Sequence, residues 1–91
     1  MKKLIKLLDK YKKIRDEMRA IGCIDGNGGV NQFRVDGLVE IIKDHDLEFT
    51  TGKFSEQYPH IIKVVVGKHT LFAIANEMDF DRYFDSEGRL K

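Results

Sequence analysis

Residues 60–75 read His-Ile-Ile-Lys-Val-Val-Val, then Gly-Lys, then His-Thr-Leu-Phe-Ala-Ile-Ala. Two runs rich in β-branched residues, joined by a two-residue loop with Gly first, predict a β-hairpin over 60–66 and 69–75. So short a loop also sets the register. Partner numbers sum to 135, so that Val64 faces Leu71 and Ile62 faces Ala73. One face then carries Ile62, Val64, Val66, Leu71, Ala73 and Ala75. The other carries Ile61, Val65, Phe72 and Ile74 beside Lys63 and Thr70. A hairpin wet on one side alternates apolar with polar residues. This one is apolar on both sides, so it is covered twice or leaves an apolar face in water. The rest of the chain has to supply the covers.

The first candidate is the N-terminal segment. Leu4, Leu7, Tyr11, Ile14, Met18 and Ile21 recur at alternating spacings of three and four, a heptad-like stripe. Ile5 and Leu8 widen it beyond a strict seam, as on a helix packed against a domain. The pattern predicts a helix over about 2–21, closed by Gly22 in a left-handed conformation. Two arrangements follow. A helix folded back on the hairpin closes the monomer, whereas a projecting helix suits a partner helix.

The second candidate is a shorter helix. Asp36 reads as its N-cap, Leu38, Val39, Ile41 and Ile42 as its apolar face, and His45 as its end. Before it, 25–29 reads as a glycine-rich turn and 30–35 as a short strand. After it, 47–51 alternates weakly like a strand, and 52–59 reads as a loop anchored by Phe54 and Tyr58. Phe80 and Phe84, at i and i+4, predict a short acidic helical turn over 77–84, with 85–91 frayed. The fold class is therefore α+β: a long amphipathic N-terminal helix, a second short helix, and a small, mostly antiparallel sheet containing the hairpin. Ninety-one residues make one domain. Within it, 1–22 form the basic helix, 30–76 an α/β core, and 77–91 the acidic C-terminal turn and tail.

Charge is distributed unevenly. Residues 1–20 carry eight basic and three acidic side chains, a net of +5, and the other 71 carry eight basic and twelve acidic, a net of −4. A basic head on an acidic body points to an anionic partner, or to the head docking on its own or a neighbour's body. The chain has no apolar stretch long enough for a membrane span and no secretory-signal pattern, and its single cysteine leaves no internal disulfide. The expected location is the cytoplasm, with no membrane partner.

Motifs for chemistry fail one by one. Residues 23–30 resemble the middle of an EF-hand calcium loop, with Asp25, Asn27, Gly28 and Val30 in the third, fifth, sixth and eighth places. Cys23 and Arg34, however, stand where the first and last carboxylates belong. Gly67-Lys68 lacks both the earlier glycine and the following Ser/Thr of a phosphate loop. Cys23 follows a helix C-terminus, where the dipole disfavours a thiolate. His60 and His69 stand at opposite ends of the hairpin, about 20 Å apart, and His45 lies elsewhere, so the three histidines form no ligand set. Neither Ser55 nor Ser86 has a nucleophile-elbow context. No catalytic residue, metal site or cofactor is expected.

What remains is surface. The expected function is that of a non-enzymatic protein-binding module that self-associates as a homodimer. It would act as an inhibitor or adaptor of a larger protein, in the manner of short phage and mobile-element proteins. The candidate contact residues fall in two groups: Leu4, Leu7, Tyr11, Ile14 and Met18 on the basic helix, and Asp79, Phe80, Asp81, Tyr83 and Asp85 in the acidic C-terminal stretch. The alternative is a small nucleic-acid-binding or regulatory protein using the basic helix. It lacks clustered aromatic or Asn/Gln readers, and Lys13 is flanked at helical spacing by Asp9 and Glu17.

Overall fold

The computed structural model describes residues 2–27 and 29–91, without the side chains of Tyr11 and Asn27. In chain order the elements are α1 (Lys2–Ala20), β1 (Cys23–Asn27), β2 (Val30–Phe33), α2 (Val35–His45), β3 (Thr50–Lys53), β4 (His60–Val66), β5 (His69–Ala75) and α3 (Glu77–Tyr83). The fold is α+β. Its five strands form one sheet in the order β1-β2-β5-β4-β3, antiparallel throughout except where β2 runs parallel to β5.

The β4–β5 hairpin has the expected register, from His60 opposite Ala75 to Val66 opposite His69. Gly67 supplies the positive φ of the turn, +59°. Such turns match the twist of the flanking strands.

One face of the sheet is covered. Phe33, Ile62, Val64, Ala73 and Ala75 are buried there beneath Val35, Leu38, Val39 and Ile42 of α2 and Phe80 and Phe84 near α3. The apolar positions 35, 38, 39 and 42 recur at one-turn spacing, so they line the single stripe a helix can lay on a sheet. Asp36 lies in the first turn of α2, and the N-cap position belongs to Arg34, which makes no side-chain cap. The expected cap is thus displaced by two residues. A carboxylate in the first turn still complements the helix dipole.

Three other segments differ from expectation. In the glycine-rich segment, Gly29 takes the expected turn conformation at φ +91°, but Asp25–Asn27 belong to β1, which pairs with β2 through a bulge between Cys23 and Asp25. Glycine weakens a strand but does not forbid one, and an edge position beside β2 supplies the hydrogen bonds. Gly28, part of the calcium-like pattern, lies outside the described residues. The third strand begins at Thr50 rather than 47, because Leu47 and Phe49 turn inward to pack on the core. Residues 85–91 do not fray. Phe84 bridges Leu90, the Lys91 N–H donates to the Tyr83 carbonyl at 3.0 Å, and Leu90 packs against the core.

Candidate interaction surface

The base of α1 is held firmly. The Arg34 N–H donates to the Gly22 carbonyl at 2.9 Å, and Gly22 takes φ +95°. Gly22 and Gly37 approach so closely that a Cβ on Gly37 would lie 2.9 Å from the Ile21 carbonyl oxygen. Met18 reaches the core from the last turns of the helix. Beyond this base α1 leaves the body. Leu4 is 53 % exposed, Leu7 56 % and Ile14 50 %, and Ile5 and Leu8 are comparably open. The molecule measures 54 × 28 × 21 Å with a radius of gyration of 15.3 Å. A compact chain of this length would have about 12 Å.

The projecting helix leaves the second face of the sheet open as well. Val65 is 72 % exposed, and Ile61, Phe72 and Ile74 are only half-buried. Of the two arrangements open to the sequence, the structure adopts the projecting helix. Two apolar surfaces therefore stand in water, one on α1 and one on the sheet.

Two clefts adjoin them. The first, about 580 Å³, lies in the angle between the last turns of α1 and β1, where Ile14, Met18 and Ile24 line it together with Asp25, Arg15 and Arg19. It continues the apolar stripe of α1 toward the body. The second, about 430 Å³, lies between the start of α2 and α3 and mixes Arg34 and Arg82 with Asp36 and Asp79. Arg34 and Asp36 pair with each other at 3.4 Å. Opposite charges in one cleft offer no preference for an anion or a cation.

The predicted contact residues separate cleanly. Leu4, Leu7 and Ile14 share the exposed face of α1, Met18 lies at its anchored end, and the Tyr11 side chain lies outside what is described. The rings of the acidic stretch are turned inward. Phe80 is only 6 % exposed, stacks on Phe84 with centroids 4.7 Å apart, and carries the His60 ring at 3.7 Å on its other side. Tyr83 packs against the core. The Asp85 carboxylate accepts the Glu87 and Arg89 backbone N–H groups, both at 2.9 Å, and so closes the C-terminal turn. Asp81 is exposed, and Asp79 and Asp85 are each partly open, Asp79 at the second cleft. The rings of this stretch serve the core, which leaves α1 as the continuous surface. The residues that sequence reasoning missed are Gly37 and Ile24. Nothing in a single helical or strand pattern marks a glycine as the site where another helix end lands.

Among the described residues, no polar or charged side chain is buried, and no group of three or more His, Cys, Asp or Glu residues could hold a metal ion. No helix among the described residues is long and apolar enough to cross a membrane. No protein-family model, curated protein or solved structure matches this chain.

Proposed function

We propose that this chain is a protein-binding module, acting without chemistry of its own, that self-associates through α1. The observation that carries the reading is the stripe Leu4-Leu7-Ile14, which stands half in water along a helix anchored only at its base. Helices on their own are marginal in water even at about 12–15 residues of alanine-rich sequence, and in proteins most of their stability comes from packing an apolar face. A second protein surface supplies that packing. The open sheet face around Val65 and Phe72 is a second apolar surface, and it fits an adaptor joining its own copies to another protein.

Light scattering at micromolar concentration tests the reading. Self-association gives about twice the 10.5 kDa chain mass, falling on dilution. A constant 10.5 kDa overturns it. If a nucleic acid were the partner instead, binding would collapse steeply as salt rises, because phosphate contacts release counterions.

A further inference from the structure

Resting on the self-association just proposed, we infer that the occupant of the α1 stripe is α1 of a second copy, running antiparallel, with its Leu4–Leu8 end seated in the cleft between α1 and β1. Charge decides the direction. Residues 2–13 of α1 carry six lysines against Asp9, whereas 14–20 balance Arg15 and Arg19 with Asp16 and Glu17. A parallel pair sets two +5 halves side by side; an antiparallel pair sets each against a neutral half. The heptad positions sharpen this. With Leu4 and Met18 at one seam position and Leu7, Ile14 and Ile21 at the other, the antiparallel layers include Leu4–Ile21 and Leu7–Met18 across the two copies. Lys10 then flanks Glu17 of the second copy, twice by symmetry. In the parallel pair, Lys10 would flank Arg15.

The body completes the site. A helix of 19 residues is about 28 Å long, so an antiparallel mate brings its N-terminal tip to the foot of the first helix. There the cleft of about 580 Å³ carries Ile14, Met18 and Ile24 for the leucines, with Asp25 beside Arg15, Arg19 and His69 on its polar side. The first turn of α1 has no acidic residue to complement its dipole, and in the antiparallel pair Asp25 of the other copy is the carboxylate of the cleft that receives it.

The test is the sign of one substitution in the full-length chain. Lys10→Glu weakens the dimer about tenfold if the helices are antiparallel, two attractive pairs having become repulsive, and Lys10→Glu with Glu17→Lys restores it. Tighter dimerisation of Lys10→Glu overturns the orientation. A second measurement does not depend on charge. In a Cys23→Ala background, Leu7→Cys chains do not cross-link to themselves, because their sites lie about 16 Å apart along the axis. Mixed with Met18→Cys chains, they form a disulfide dimer. Efficient self-cross-linking of Leu7→Cys means a parallel pair. A dimer that persists with no cross-link in either case places the interface off α1. A monomer at 10.5 kDa removes the underlying self-association instead, and co-sedimentation of that monomer with anionic phospholipid vesicles assigns the stripe to a membrane surface.

Discussion

The Cys23 thiol sits buried at the start of β1, its S–H directed at the Asp25 carbonyl oxygen 3.6 Å away. Burial pushes its pKa up from the ordinary thiol value. A hydrogen bond donated to the sulfur by the Asp25 backbone opposes the shift, and the nearby Asp25 carboxylate adds to it. The thiolate is the reactive form, so a raised pKa slows alkylation. In the native protein at neutral pH, a thiol reagent should react with Cys23 far more slowly than with free cysteine, and at the free rate only in urea. A native rate equal to the free one would mean that β1 opens readily. Asp85 moves the other way. The Arg89 and then the Glu87 backbone N–H groups hold its carboxyl below the usual carboxylate value, and the Arg89 side chain adds to this. A depressed folded pKa stabilises above the unfolded value and is lost as pH falls through the folded one. The C-terminal clasp should therefore be intact at neutral pH and release only below about pH 4. Asp85→Asn should remove that acid step, read as exchange of the Lys91 amide, which donates to the Tyr83 carbonyl, against pH.

Elements divide by what their loss costs. Phe84 is wholly buried, between the Phe80 and Phe49 rings. Phe84→Ala should cost about 3–5 kcal/mol, seen as a lower urea midpoint. Leu7→Glu should leave that midpoint within about 0.5 kcal/mol for the monomer while abolishing the dimer, because the leucine stands more than half in water on the projecting helix. Lys6→Glu with Lys13→Glu should likewise fold normally. Gly37→Ala is the informative contrast. Its new methyl would meet the Ile21 carbonyl, so the base of α1 must shift while α2 itself gains helix propensity.

At the scale of the whole molecule, the chain is a compact body with a lever. Its radius of gyration of 15.3 Å belongs to an isolated copy with α1 extended. X-ray scattering of a monomeric Leu7→Glu variant should return about that value, and a value near 12 Å would mean that α1 folds back on the open sheet face. Val65→Glu, on that face, should leave the dimer unchanged if α1 alone holds it.

Much of this was written locally. The Gly67-Lys68 loop sets the β4–β5 register because a two-residue turn admits one pairing, and the stripe from Leu4 to Ile21 specifies a helix because its period is helical. The i, i+4 spacing of Phe80 and Phe84 stacks their rings for the same reason. Tertiary structure decided the rest. The glycine-rich segment 25–29 reads as a turn until the free edge of β2 draws Cys23–Asn27 into the sheet, and 85–91 reads as a tail until the core offers Leu90 a seat. Above all, periodicity says which faces are apolar but not which ones meet. The direction of α1 depends on the Gly22–Gly37 approach and the Arg34–Gly22 hydrogen bond, contacts between residues 12 to 15 apart that no local pattern encodes. They turn α1 away from the body, and so leave its stripe and the outer sheet face in water.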